Sequence, residues 1–389
     1  MRILHCCLAA FYIDNFSYQE NILPRLHKQA GHDVMILAST ETYTQNKKLG
    51  YVEASSYVTR DDIPIKRIPY KPGLPNFLKR KLRIYQNVIS SIEQFNPDII
   101  FMHDGQTYAS VEIARYVKRH PNVKVIMDSH TDYINSANGW VSKNILHKII
   151  YRYFIKQITP HVEKLYGTLP IRMTFYKEMY NFPENKIAFL PFGFDTSLVD
   201  FSQRQKIRLQ IRQKLNIGEK DFVLITGGKI DRRKNIHVLL EAMQHLNGDK
   251  VKLILFGTPV QDMKEDIEKL ISKNPNVKYI GWIQSTDSYK YFFASDLVIF
   301  PGTHSTLWEE TIGLGLPGIF KRWQGIEHID LGGNIMLMDE ISAETLTSTI
   351  MGIATNTQLY NQMYNIATQE ENMKMFDYVD IAKRAIKLS

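Results

Sequence analysis

The chain has 389 residues, of which 44% are hydrophobic, 11% aromatic and 23% charged. That length exceeds what one hydrophobic core usually serves, and the composition excludes a disordered or fibrous chain, so two globular domains are expected. A formal net charge of +8 points to anionic partners such as phosphates or lipid headgroups, while the lack of any RNA-recognition, basic-zipper or zinc-finger pattern sets nucleic acid aside.

Arg2 to Leu8 predicts a buried strand, Tyr18 to Ala30 a helix through Ile22, Leu23 and Leu26 with Gly31 as C-cap, and Val34 to Ala38 a second strand. This is a βαβ unit, expected parallel and right-handed. Cys6 and Cys7 are neighbours on the first strand and point to opposite faces, which argues against a disulfide and for a reducing cytoplasm. Met1-Arg2-Ile3-Leu4 enters that strand directly, and no stretch approaches a membrane span, so neither a secretory signal nor a transmembrane helix is expected. The following loop, Ala9 to Ser17, has no glycine and offers Tyr12, Asn15 and Ser17 as polar groups.

From Ile65 to Ile92 cations alternate with aromatic and aliphatic residues, notably Phe77-Leu-Lys-Arg-Lys-Leu-Arg-Ile-Tyr85. Residues 66–85 read either as an amphipathic surface for an anionic membrane or as a solvated helix face with Leu78, Leu82 and Tyr85 packed inward. Lys143 to Lys156, with His147, Tyr151, Arg152 and Tyr153, repeats the pattern more weakly.

Pro97 to Met102 is a strand ending in His103-Asp104-Gly105, and Val123 to Met127 is another ending in Asp128-Ser129-His130-Thr131-Asp132. Neighbouring parallel strands with polar ends place His103, Asp104, Asp128, His130 and Asp132 on one rim, where doubly wound sheets bind ligands; loop hydration and helix capping are the plainer alternatives. Asp104, Tyr12 and Asp132 are further candidate ligand groups of this half. Lys164 to Thr168 and Ile187 to Leu190 close the first half, and Gln203 to Leu215 is a polar connecting helix.

The second half restarts the pattern. Phe222 to Thr226 is a strand, followed by Gly227-Gly228-Lys229, Lys234-Asn235, and a helix carrying Ile236, Leu239, Leu240 and Met243. Glycines after a buried strand admit an anion and the cations neutralise it; a basic surface turn would look similar. Val251 to Thr258 and Val277 to Ile283 are further strands, with Trp282 either stacked on a ligand or buried in the core. Leu297 to Phe300 is stopped by Pro301-Gly302; the polar loop Thr303-His304-Ser305-Thr306 leads to a helix with Ser305 or Thr306 at its N-cap and Glu309 and Glu310 in its first turn. Gly318 to Phe320 and Ile335 to Met338 are strands, and Tyr378 to Leu388 is a closing amphipathic helix. No Asp-x-Asp pair and no zinc-spaced His/Cys cluster occurs, so no metal and no cofactor is expected.

Glu310-Thr-Ile-Gly-Leu-Gly-Leu-Pro317 resembles the Glu-Ala-Met-Ala-Cys-Gly-Leu-Pro element of glycosyltransferase family 4, the group 1 retaining nucleotide-sugar enzymes with the GT-B fold. Ala30-Gly31-His32-Asp33-Val34 is similar to the Gly-His-Glu-Val of that fold, and Pro191-Phe192-Gly193-Phe194-Asp195 to its Pro-Asn-Gly-Val-Asp linker. The resemblance implies an α/β protein of two Rossmann-like doubly wound domains facing across a cleft. Residues 1–196, with a C-terminal helix 376–389 packing back on them, would bind the acceptor, and residues 197–375 the nucleotide sugar.

The resemblance also assigns roles. Glu310 would bind the nucleotide ribose, with Glu309 adjacent and able to exchange with it. Lys229 stands for the family's Arg and Lys234 keeps its Lys; together with Gly228 they would hold the diphosphate, at the loss of bidentate geometry at Lys229. Trp282 and Ile283 would hold the base, and His304, Ser305 and Thr306 would face the donor where the family's second Glu is replaced by Gly302. His130 would line the sugar pocket. The implied reaction is metal-independent retaining transfer, the leaving phosphate taking the acceptor's proton while Lys229, Lys234 and helix-terminal amides stabilise the diphosphate. A glycan or lipid-linked acceptor in cell-surface polysaccharide or glycolipid assembly is expected, the protein being cytoplasmic or peripheral on the inner face of the membrane. The alternatives are a sugar-nucleotide epimerase of the same fold and a catalytically silent subunit that binds nucleotide or polymer.

Overall fold

The computed structural model describes residues 1–43, 49–246 and 250–387. Leu388 and Ser389, the end of the predicted closing helix, lie outside them. The chain divides into two compact units, Met1–Pro191 with Ile381–Ser389, and Phe192–Asp380. The boundary read from sequence, 196/197, falls inside the second unit.

In the first unit the described residues form an eight-stranded sheet in the order Ile187–Phe189, Val162–Gly167, Lys124–Ser129, Ile99–His103, Arg2–Cys7, Asp33–Ser39, Pro64–Ile68, Ser55–Val58. All neighbours pair in parallel except the edge strand Ser55–Val58, which runs antiparallel to Pro64–Ile68. The chain leaves Arg2–Cys7 toward one edge and returns to Ile99–His103 on its other side. The two strands at this reversal are therefore neighbours whose C-terminal loops diverge, which opens a ligand crevice in doubly wound sheets. Helices such as Gln19–Gln29 and Ala109–Arg119 cover the sheet with Leu23, Ile113 and Tyr116 fully or almost fully buried. Cys6 and Cys7 are buried free thiols.

The second unit has a six-stranded parallel sheet, with Val277–Gly281, Val251–Pro259 and Phe222–Ile230 on one side, and Leu297–Phe300, Gly318–Lys321 and Ile335–Met338 on the other. In chain order this is 3-2-1-4-5-6, the Rossmann order, with the reversal between Phe222–Ile230 and Leu297–Phe300. Both units thus have the doubly wound architecture implied by the GT-B resemblance. Among the described residues no helix is long and apolar enough to cross a membrane.

Residues 66–85 do not form one amphipathic helix. Lys66 and Arg67 belong to the strand Pro64–Ile68, a short helix covers only Asn76–Lys81, and Tyr85 is buried with its hydroxyl donating to the Leu8 carbonyl at 3.1 Å. Arg67 is also buried. Its guanidinium donates to Asp14 at 2.8 Å and to the carbonyls of Tyr12 and Ser39 at 3.1 and 2.9 Å, so this cation braces the first loop. Lys143 to Lys156, by contrast, lies in a continuous helical stretch, a π-helix Ser142–Tyr151 running into Arg152–Ile158.

Candidate functional site

The second unit's strand reversal gathers most of the candidates. Phe222–Ile230 carries Gly228 and Lys229 at its C-terminal end; Gly228 has φ +103°, and a Cβ there would lie 3.2 Å from the Leu307 side chain. Glycine thus lets the strand end approach the start of the helix Leu307–Gly313. Lys229 is exposed and its ammonium has no partner among the described residues. The Lys234 ammonium, by contrast, donates to the carbonyls of Thr303 and His304 at 2.7 and 3.0 Å, and Asn235 Nδ2 donates to the Pro301 carbonyl at 3.0 Å. These bonds fasten the loop after Phe300 to the turn after Ile230. Burial, aided by the neighbouring Arg233, lowers Lys234 to about 8.

Gly302 sits inside that junction. A Cβ on it would collide with the Lys234 Cα and the Arg233 carbonyl oxygen, while its own carbonyl accepts from Trp323 Nε1 at 2.8 Å. The position of the family's second Glu is therefore closed to any side chain by backbone packing.

The helix Leu307–Gly313 presents two adjacent carboxyls in opposite conditions. Its N-cap is Thr306, without a side-chain capping bond. Glu309 has 0% exposure and accepts from His304 Nε2 at 2.8 Å and from His328 Nε2 at 3.0 Å. Burial alone would raise its carboxyl, but the two imidazoles override this and hold it at about 2. The Glu310 carboxyl has no hydrogen-bond or ion-pair partner among the described residues, and burial plus the Glu309 charge raise it to about 8. Of the two, Glu310 is free to take a ligand and Glu309 is committed.

His304 is thus tied through Nε2 to Glu309. Ser305 and Thr306 flank it, Thr306 exposed. Trp282 is 72% exposed and Ile283 packs partly against the core, so this tryptophan is no core residue.

The first unit's reversal holds a second polar cluster. His103 ends one strand and Asp128 lies opposite it in the next. Asp128 Oδ2 accepts from His103 Nδ1 at 2.8 Å and from Gln19 at 3.2 Å, and its Oδ1 lies 3.2 Å from His130 Nε2. Burial would raise the Asp128 carboxyl, yet His103 and His130 hold it well below its usual range. Burial would likewise depress His130, but Asp128, Glu20 and Asp104 raise it to about 9, so it is an imidazolium at neutral pH. The donor atoms of His103, Asp128 and His130 lie within 4.8 Å of one another. A tetrahedral ion with ligands at about 2.0 Å would hold them roughly 3.3 Å apart; 2.8 Å between His103 and Asp128 is a hydrogen bond.

The acceptor-side candidates separate. Asp104, at φ +65°, accepts from the His130 backbone at 3.2 Å, Thr131 at 3.1 Å and Tyr176 at 3.3 Å, next to His130. Asp132 caps Ile134 and Asn135 and meets Arg172 at 3.3 Å, holding its own loop. Tyr12 is 4% exposed, with its ring beneath the Arg67 guanidinium.

Sequence reading gave no role to His328, His5 or His27. His328 lies beyond the recognised motif and reaches Glu309 only through the fold. The imidazoles of His5 and His27 are buried beside His103, bonded in a row at 3.0 Å. A histidine inside an otherwise apolar strand was the available signal for His5.

Residues 207–316 match the family model described as glycosyl transferases group 1. The chain is 25% identical over 226 residues to a lipopolysaccharide 1,2-N-acetylglucosaminetransferase of Salmonella typhimurium, a match covering 55% of this chain; the chain spans about half (51%) of that relative's length. Among solved structures it is similar to HepE of Anabaena in complex with UDP, at TM-score 0.66 and 16% identity over 99% of this chain and 98% of that one. It is similar also to WaaG, a glycosyltransferase involved in lipopolysaccharide biosynthesis, at TM-score 0.61 and 16% identity over 100% and 99%. A sucrose-phosphate synthase of Thermosynechococcus elongatus aligns at TM-score 0.65 and 14% identity over 98% and 96%. At these identities the structures speak for the fold.

Proposed function

We propose that this chain, which carries a glycosyl transferases group 1 segment on a GT-B fold, transfers a sugar from a nucleoside-diphosphate sugar to an acceptor. The observation that supports this most is the unpartnered Glu310 carboxyl, set beside a Glu309 already fixed by His304 and His328, inside the matched segment. In this reading Glu310 takes the ribose hydroxyls. Lys229 and the Gly228 backbone meet the diphosphate, Lys234 anchors the loop that faces it, and exposed Trp282 with Ile283 flanks the base. No metal takes part, the leaving phosphate accepts the incoming hydroxyl's proton, and the sugar keeps its anomeric configuration. In the first unit, His130, as an imidazolium next to Asp104, is the group assigned to the sugar. HepE was solved with UDP and with UDP-glucose, which makes uridine diphosphate sugars the first donors to test.

The acceptor in this reading is a glycan or lipid-linked sugar of cell-surface polysaccharide assembly, a class supported by the Salmonella relative and by WaaG. The membrane-facing surface moves from residues 66–85 as a whole to a stripe along the helical stretch after Gly139. Trp140 is 72% exposed, and Val141, Ile145, Ile149 and Tyr153 are also exposed, interleaved with exposed Lys143, Lys148 and Lys156. Phe77, on the short helix Asn76–Lys81, is also 73% exposed, and Tyr151 donates to the Lys81 carbonyl at 2.5 Å, which links that helix to the helical stretch. Amphipathic aromatics with a lysine rim suit an anionic bilayer, on the inner face of the cell membrane.

Gly302 favours a second reading, a catalytically silent subunit that binds the nucleotide. Incubation of the chain with a panel of nucleotide sugars and lipid-linked acceptors separates the two. Transfer to acceptor supports the enzyme; saturable binding with no turnover of any donor supports the silent subunit.

A further inference from the structure

Three buried imidazoles of the first unit form an unbroken row. His27 Nε2 meets the Ala382 carbonyl oxygen at 2.9 Å, and His27 Nδ1 meets His5 Nε2 at 3.0 Å. His5 Nδ1 then meets His103 Nε2 at 3.0 Å, and His103 Nδ1 meets Asp128 Oδ2 at 2.8 Å. The rings are stacked, with centroids 5.2 and 5.3 Å apart, and Phe101 packs against them. Every ring nitrogen in the row is used, and both ends of the row are acceptors.

Protons decide what this means. Four contacts need four hydrogens, and three neutral imidazoles bring only three. With three, one pair of atoms must face each other lone pair to lone pair at hydrogen-bond distance, among side chains with almost no exposure. A fourth proton removes the conflict. It does not belong on Asp128, whose two oxygens already receive His103, Gln19 at 3.2 Å, His130 at 3.2 Å and the Asp104 amide at 3.3 Å. It belongs on the imidazoles, where the Asp128 charge neutralises it.

We propose that His5, His27 and His103 together hold one proton more than three neutral imidazoles, and that this row positions Asp128 against His130. The same helix, Gln19–Gln29, supplies His27 to the row and Glu20 to His130, 3.9 Å away. Further titratable groups near the row, among the described residues, are His32, whose ring centroid is 6.3 Å from that of His27, Asp104 beyond Asp128, and the buried Cys7 thiol, which the Asp128 charge helps to keep neutral. Burial is the largest cause that lowers both His5 and His27, with the neighbouring imidazoles adding to it, and His27 lies at about 4 although the Ala382 carbonyl raises it; the extra proton therefore depends on acceptors at both ends, and removing one end discharges the row. The hydrogen-bond count stands apart from the transferase reading; only the effect on turnover rests on it.

The test is a long-range proton–nitrogen correlation spectrum of the full chain labelled with 15N-histidine, recorded at pH 8, with the rings assigned by His5→Gln, His27→Gln and His103→Gln. The row should show one ring, or an average over the three, with both nitrogens protonated. His27→Gln should abolish that pattern, because its amide can donate both to His5 Nε2 and to the Ala382 carbonyl without an added proton. It should also lower kcat while leaving KM for the nucleotide sugar unchanged. Three neutral rings in the parent, each with one bare nitrogen, would overturn the proposal, as would a His27→Gln spectrum that keeps the doubly protonated pattern. If His27→Gln does not fold, His5→Gln gives the same readout. An inactive parent with the expected spectrum would count against the transferase reading and leave the row standing.

Discussion

Glu309 and Glu310 show how one turn of helix can hold two carboxyls in opposite protonation states. Glu309 sits near 2 because two imidazoles donate to it; relative to its ordinary 4.5, it stabilises the fold above about pH 4.5, and that contribution is lost as pH falls toward 2. The shift corresponds to on the order of 3 kcal/mol. Glu309→Gln should therefore destabilise the protein clearly at pH 7 and much less at pH 3, as thermal unfolding at the two values will show. Glu310 has the opposite sign. Raised to about 8, it favours folding fully below pH 4.5, and the benefit is lost as pH rises through 8. Glu310→Gln should equal or exceed the parent in stability above pH 8 while losing nucleotide affinity, a combination that a structural role for Glu310 would not give.

Gly302 supplies a third test. Gly302→Ala pushes a methyl into the Lys234 and Arg233 backbone and should cost roughly 1–3 kcal/mol, an overpacking penalty. Installing the family's glutamate there should destabilise the chain further and not raise activity; a more active Gly302→Glu variant would contradict the packing account.

Among elements, the loop between Phe300 and Leu307 carries the most consequence. Its polar character was legible because Pro301 and Gly302 end a strand and two glutamates open a helix. Its anchorage was not, because the Lys234 bonds to Thr303 and His304 join segments far apart in sequence. Lys234→Ala should leave two carbonyls without their donor and loosen the loop, so nucleotide should no longer raise the melting temperature; stabilisation equal to that of the parent would remove Lys234 from the account. The basic stretch 66–85 shows the reverse. Its charge pattern was plain, yet Arg67 and Tyr85 turn inward, and amphipathic spacing cannot distinguish a cation that braces a loop from one that meets solvent. The stripe of Trp140, Val141, Ile145 and Ile149 makes its own prediction. Trp140→Ser with Ile145→Ser should abolish sedimentation with anionic vesicles and leave the melting temperature within about 1 °C, since exposed side chains contribute little to the fold.

At the scale of the molecule, both units place a carboxylate between two imidazoles at a strand reversal, His103–Asp128–His130 in one and His304–Glu309–His328 in the other. The doubly wound architecture was legible from apolar runs spaced by helices, because parallel strands buried on both faces leave no other pattern. The first unit's imidazoles were legible as neighbours, because adjacent parallel strands with polar ends put His103, Asp128 and His130 on one rim; the partners of Glu309 were not, because only the fold brings His328 to it.

In the proposed function the second unit binds a nucleoside-diphosphate sugar through Glu310. Titration calorimetry of uridine diphosphate sugars into the parent chain and into Glu310→Ala, in buffer containing a metal chelator, tests it most directly. The parent should show saturable one-to-one binding to at least one donor, and the variant a loss of about tenfold or more, as removal of a charged hydrogen-bond partner would give. Equal affinity in parent and variant, or no binding of any nucleotide sugar by the parent, would contradict it.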